Sequence, residues 1–201
     1  KGGMHHIAFA VEKTRELNEK TGGRFTLFLR KRDKKLEGGY GGKERKRGAV
    51  ESLIKLLYRK ENKFSLIEGE IPENISFLLT LDSDTSLTMD SVSELVGAML
   101  HPLNRPKIKD GKVVKGYGIL QPAVKTSLES SAHSRFSAMI SAVGGIDIYE
   151  SAGFERHQQI FGEGIFCGKG IIDVKLYGEL LCDRLPENKS LSVETFFSFL
   201  L

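Results

Sequence analysis

The stretch FLLTLDSDTSLT, Phe77 to Thr88, runs a short apolar segment directly into two aspartates, Asp82 and Asp84, with one serine between them. An unbroken apolar run of this length reads as a strand, here about Ile75 to Leu81, covered on both faces by helices as in α/β sheets. Two carboxylates at close range repel unless a cation or a proton lies between them. Ser83 points to the opposite side of an extended backbone, so Asp82 and Asp84 are expected to project toward one face. In open α/β sheets the ligand crevice lies beyond the carboxyl ends of the strands. Hard oxygen donors at such a place suit Mg²⁺ or Mn²⁺, which take one or two carboxylates and complete their shell with water and substrate phosphates. The tripeptide alone fits equally well a solvated turn in which one aspartate caps a nearby helix.

Working outward, Ile7, Val11 and Leu17 share a face of a helix expected over about Ile7 to Lys20, which Thr21-Gly22-Gly23 ends. RFTLFLRKR reads as a strand with alternating Phe25, Leu27 and Leu29, and the glycine-rich polar stretch after it as a loop. A helix follows from Ala49 to Tyr58, with Val50, Leu53, Ile54 and Leu57 on its apolar side. Beyond the quoted strand, MDSVSELVGAML has helical spacing, ended by His101-Pro102, and GYGILQPAV reads as a further strand. SRFSAMISAVGG and YESAGFERHQQIFG read as helices, and GEGIFCGKG as a glycine-rich loop before a helix starting near Asp173. Strand and helix alternate, which favours a mostly parallel sheet.

With 201 residues the chain is long enough for one substantial core. The 30 Lys and Arg exceed the 26 Asp and Glu only slightly, so a local anion site accounts for the asymmetry and no nucleic-acid partner is called for. The two cysteines, Cys167 and Cys182, form neither a CxxC nor a zinc spacing and are read as core thiols of a reducing compartment. No apolar run reaches the roughly 18–20 residues of a membrane helix, so the segment itself is expected to be soluble. His5 and His6 are assigned no metal site.

Two other acidic motifs compete for the same residues. A calcium EF-hand loop is excluded, because Leu87 stands where its turn glycine belongs and Ser93 where its bidentate glutamate belongs. The haloacid dehalogenase pattern of magnesium-dependent phosphatases runs an apolar strand into DxDxT, whereas LDSDTS places Thr85 one position early, and no later GDxxxD follows. In that reading Asp82 is the nucleophile and Asp84 the acid/base. A noncatalytic carbohydrate- or anion-binding module is a third possibility.

Six segments in register, GGRFTLFLRKR, ERKRG, FLLTLDSDTSLTMDSVSELVGAMLHPLNRP, GYGILQPAVKTSL, IFGEGIFCGKGIIDV and LPENKSLS, resemble the glycosyltransferase domain of cyclic β-1,2-glucan synthases, from about Glu12 to Ser192. The resemblance implies a single GT-A domain over residues 1–201, an α/β Rossmann-like fold with a mostly parallel sheet and helices on both faces, incomplete at both ends. It implies transfer of glucose from UDP-glucose, with inversion, onto a growing β-1,2-glucan acceptor, with Mg²⁺ or Mn²⁺. It also implies that this segment belongs to a larger membrane-associated synthase and works at the cytoplasmic face of the bacterial inner membrane.

Carried over residue by residue, Asp82 and Asp84 match the family's DxD, with Asp84 the direct metal contact and Asp82 meeting the ribose or a metal-bound water. Arg45, Lys46 and Arg47 match a basic segment near the nucleotide diphosphate, which agrees with cations placed before a helix N-terminus near Gly48. Gly162, Glu163, Gly164, Gly168 and Lys169 are expected to line the donor and acceptor site, where glycines let backbone approach a ligand. His101, Asn104, Arg105 and Gln121 border the sugar or fix their own loops, the latter being the expectation for His101 and Asn104.

Three departures from the family stand out. Lys43 precedes Glu44 where the family has a tryptophan, and the chain contains no tryptophan. The strand that grips the uracil is expected upstream of the first residue. After Ser192 the family's His-Asp motif, which carries the catalytic base, is replaced by VETFFSFLL. Inverting transfer needs a base to deprotonate the acceptor hydroxyl. The catalytic residue is therefore unassigned, Glu163 being a weak candidate beside Asp147 and Glu194, and the chain is expected to bind its donor yet turn over poorly alone.

Overall fold

The computed structural model describes residues 2–31, 33–34, 40–41, 44–122, 160, 166 and 168–184. Their order is α1 (Gly2–Thr21), β1 (Leu27–Arg30), β2 (Asp33–Lys34), β3 (Tyr40–Gly41), α2 (Arg45–Arg59), β4 (Phe64–Glu68), β5 (Phe77–Thr80), α3 (Ser91–Leu100), β6 (Lys107–Lys109), β7 (Lys112–Lys115), β8 (Ile119–Leu120), β9 (Gly170–Asp173) and α4 (Val174–Leu180). The helices expected within 134–145 and 149–162 lie outside the described residues, apart from Ile160. The architecture is mixed α/β. The chain forms two compact units, residues 1–78 with 172–191, and residues 79–171 with 192–201.

In the first unit, α1 ends as its sequence dictates. Gly22 and Gly23, both at positive φ, return their N–H groups to the Asn18 carbonyl, and the Asn18 amide clasps the Phe25 backbone at 2.8 Å on both sides. The expected apolar face is open rather than covered, since Ile7 and Leu17 are exposed and the buried position is Thr14. Arg15 ties the helix to β4 through both carboxylate oxygens of Glu68, at 2.7 and 3.1 Å.

Strands β1 and β4 pair antiparallel, Leu27 opposite Glu68 and Leu29 opposite Leu66, and Phe28 packs on Phe64 with ring centroids 5.0 Å apart. The chain therefore leaves β1 and returns to β4 at the same end. The intervening α2 is an excursion between two antiparallel strands and not the crossover of a parallel pair. The short pair β2–β3 is antiparallel as well.

Helix α2 packs on α4, where Ile54, Leu56, Val174, Leu176, Tyr177 and Leu180 are buried. Gly178 permits this approach, for a Cβ there would meet the Tyr58 ring at 2.4 Å. Asp173 caps α4 by accepting the Leu176 N–H at 2.8 Å, as the helix start read from the sequence requires.

Cys182, just past α4, is buried, in line with the core thiol expected. Burial, reinforced by the Glu51 carboxylate, pushes its thiol up to about 11 from an ordinary 9.0. The folded state thus holds this proton more tightly than the unfolded state does. The stabilisation is complete below pH 9.0 and is lost as the pH rises to about 11. We expect the urea midpoint to fall across that window, and to fall less in Cys182→Ala. A fall of equal size in the two proteins would show that the thiol contributes nothing.

The second unit holds α3 and the hairpin β6–β7, and β9 lies between β5 and β8 in a three-stranded sheet. The hairpin turns at Asp110-Gly111, both at positive φ, the geometry that a two-residue loop between twisted strands favours. The expected covering of the quoted strand on both faces is partial, since Phe77, Leu78 and Leu79 are half-buried and Thr80 alone is buried.

Candidate functional site

Strand β5 stops at Thr80, and the aspartates follow in a turn rather than on extended backbone. Thr85 closes that turn twice, its N–H donating to the Asp82 carbonyl at 3.1 Å and its hydroxyl accepting the Asp82 N–H at 3.3 Å. The two aspartates thus occupy the i and i+2 positions of a turn and not alternate positions of a strand. Asp84 is exposed, and the Asp82 side chain is 38% exposed.

A second segment arrives beside the first. Val174 donates its N–H to the Ser76 carbonyl at 3.0 Å, and the Thr80 hydroxyl donates to the Gly170 carbonyl at 3.2 Å. These contacts pair the start of β5 with the end of β9 and the reverse, so the two strands run in opposite directions. The same register carries the residue before Gly170 to the residues after Thr80. Lys169 accordingly sits with its ammonium 3.4 Å from Asp82, and its side chain is 25% exposed. Gly168 at φ 85° allows the bend, and Gly170 allows the packing, since a Cβ there would meet the Leu120 carbonyl oxygen at 2.5 Å. Two motifs read separately from the sequence therefore meet in space at Asp82 and Lys169. Gly162, Glu163 and Gly164 lie outside the described residues, as do Asp147 and Glu194.

A hard divalent cation of the expected kind leaves most of its coordination to water and phosphate. Asp84 offers an open carboxylate, and Asp82 one already facing a positive charge. Among the described residues no group of three or more His, Cys, Asp and Glu could hold a metal by itself.

The basic segment lies in the first unit. Helix α2 starts at Arg45, three residues before the expected Gly48, so Arg45, Lys46 and Arg47 form its first turn. Glu44 and Arg45 both adopt positive φ, 54° and 43°, a strained entry for residues with side chains. Arg47 is buried and ion-paired with Glu44, while Arg45 is exposed and Lys46 half-buried. The outward charge of this turn thus comes from Arg45 and, in part, Lys46.

HPLNRP serves its own loop. Asn104 binds the Ala98 carbonyl at 2.9 Å through its side chain, His101 Nδ1 accepts the Leu103 N–H at 3.3 Å, and Arg105 Nε reaches the Leu100 carbonyl at 3.3 Å. This is the loop-fixing role expected for His101 and Asn104, and it extends to Arg105. Gln121 is half-buried beside β8. The residue missed by the sequence reading is Thr85, whose signal was a threonine three positions after an aspartate, the spacing of a side-chain-closed turn.

No family model matches the chain. It is, however, 39% identical over 173 residues, 84% of its length, to the cyclic beta-(1,2)-glucan synthase NdvB of Rhizobium meliloti (strain 1021). The chain is a cyclic glucan synthase-related domain. It spans 6% of that relative's length. Within the glucan synthase-related domain, the aspartate turn, the lysine that faces it and the basic first turn of α2 all fall in the segments that carried the resemblance. Among the described residues no helix is long and apolar enough to cross a membrane.

Proposed function

We propose that this domain binds UDP-glucose together with Mg²⁺ or Mn²⁺, and supplies the donor half of an inverting transfer that extends a β-1,2-linked glucan. The observation that carries the reading is the Asp82–Thr85 turn at the end of β5 with Lys169 brought to Asp82 at 3.4 Å. A carboxylate pair beside an ammonium favours a dianionic diphosphate held through a cation, because each charge then has an opposite neighbour. Asp84, the open carboxylate, would hold the metal directly, and Asp82 would meet the ribose or a metal-bound water. When bound, the cation would offset the charge that gathers on the diphosphate as the glycosidic bond breaks. Lys169 adds a second positive charge on the same side. Gly162, Glu163, Gly164 and Gly168 are assigned to the sugar in this reading. The GT-A fold over one domain, and a place within a larger synthase at the cytoplasmic face of a membrane, belong to the same proposal.

Saturation-transfer NMR with UDP-glucose and Mg²⁺ tests it. Contacts are expected to the uridine and glucose protons, and they should fade when the metal is chelated. Signals from glucan alone, unchanged by chelation, would point to a noncatalytic carbohydrate module. Phosphate release from phosphomonoesters, abolished by Asp82→Asn, would point to a phosphatase.

A further inference from the structure

The hairpin β6–β7 has no part in the donor site, yet it concentrates the charge of the chain. From Arg105 to Lys115 there are five cations, Arg105, Lys107, Lys109, Lys112 and Lys115, against the single acid Asp110, an excess equal to the formal +4 of the whole sequence. Register decides where these charges point. Lys107 lies opposite Lys115 and Lys109 opposite Lys112, while Ile108 lies opposite Val113, and the pairing slips between Lys107 and Ile108. The slip makes Val114 an extra residue on β7 and restores the phase, so all four lysines share one face and Ile108, Val113 and Val114 fall on the other.

Like charges directly opposite one another weaken a strand pair. The stability of the hairpin therefore gives no reason for two stacked lysine pairs, and among the described residues no carboxylate is ion-paired with any of the four. On the other face Ile108 is exposed and Val114 62% exposed, with Val113 half-buried. Two-stranded ribbons are marginal in water when neither face is packed. Next to the hairpin, Tyr117 donates its N–H to the Asn104 carbonyl at 2.9 Å, which sets two more exposed side chains, Tyr117 and Leu103, alongside.

We propose that the β6–β7 hairpin docks on an anionic phospholipid bilayer, lying in the interface with Ile108 and Val114 toward the acyl boundary and the lysines reaching headgroup phosphates. The arrangement is the strand counterpart of an amphipathic interfacial helix, in which an apolar face is buried and long lysine stems carry their charge back to the headgroups. A nucleic acid would use only the lysine face. That face carries neither an arginine fork for bidentate contact nor an aromatic ring for base stacking, and the apolar face would stay wet. The lipid reading employs both faces.

Co-sedimentation of the 201-residue chain with vesicles of phosphatidylcholine, with and without phosphatidylglycerol, tests this. Binding is expected only with the anionic lipid, to weaken with salt, and to fall about five-fold for each lysine changed to glutamine. Ile108→Asp combined with Val114→Asp is expected to weaken binding while every lysine is kept. Far-UV circular dichroism checks that these exposed substitutions leave the fold intact. Absence of binding to phosphatidylglycerol vesicles, or equal binding by the quadruple lysine variant, overturns the proposal. So does tighter binding to duplex DNA that survives the two aspartate substitutions.

Discussion

Asp84→Ala is expected to lower the affinity for UDP-glucose at saturating Mn²⁺ by roughly 30- to 100-fold, while leaving the affinity measured in chelator unchanged. The estimate rests on a coupling of about 2–3 kcal/mol between two ligands that share a bridging contact. Asp84 carries the effect because it is the exposed carboxylate of the turn, whereas Asp82 already faces Lys169 at 3.4 Å. Asp82→Asn should therefore cost less, since it also releases Lys169 to the diphosphate. Isothermal titration calorimetry of the two variants separates these effects. Equal losses in both would mean that the lysine does not distinguish the two carboxylates.

Lys55→Met is expected to destabilise the folded chain by about 2 kcal/mol, less than breaking a fully buried ion pair costs, because Glu51 is 18% and Asp183 58% exposed. The Lys55 side chain is 5% exposed, and its ammonium bonds to Glu51 at 2.6 Å and to Asp183, joining α2 to the turn after α4. Burial by itself would lower the Lys55 pKa, but the hydrogen bonds to Asp183 and Glu51 outweigh it and hold the pKa above its ordinary value. In Lys55→Met, Asp183 keeps Arg59 at 2.7 Å, while Glu51 loses its lysine partner. The double variant Glu51→Leu with Lys55→Met should recover much of the loss, because an apolar pair has no charge left to compensate.

Acid titration gives an independent check. Lys55 is the first cause of the lowered Asp183 carboxyl pKa, ahead of the opposing effect of burial and the bond from Arg59. A depressed carboxyl stabilises the fold above its unfolded-state pKa and loses that contribution as the pH falls through the folded-state value. The window here lies below the ordinary 3.8 of an aspartate. Urea midpoints of Lys55→Met should show a shallower loss across that window than the parent. Equal slopes would place the stabilisation elsewhere.

Much of this was legible in the sequence wherever local physics decides the outcome. Apolar spacing marked α1, α2 and α3, Gly22-Gly23 marked the end of α1, and Asp173 marked the start of α4, because caps and breakers act within a few residues. Strand β4 escaped, since FSLIE is short and its polar Ser65 and Glu68 blur the alternation. The hairpin escaped although Asp110-Gly111 is a strong turn signal, because lysines dominate KIKDGKVVK and leave few apolar positions to mark its strands.

Sheet direction was the least legible feature. Alternating helix and strand suggested parallel pairing, yet β1 and β4 run antiparallel around α2. Which end of a strand the chain returns to depends on packing far from either strand. The candidate site shows the same division. The aspartate pair and the glycine-flanked lysine were visible as motifs, but their meeting at Asp82 depends on the register of β5 against β9, which no local pattern encodes.

The most direct measurement is calorimetric titration of UDP into the unaltered chain, once with Mn²⁺ and once with chelator. A cation bridging the Asp82–Asp84 turn to the diphosphate predicts binding roughly 30- to 100-fold tighter with Mn²⁺. The same affinity in the two titrations would contradict it.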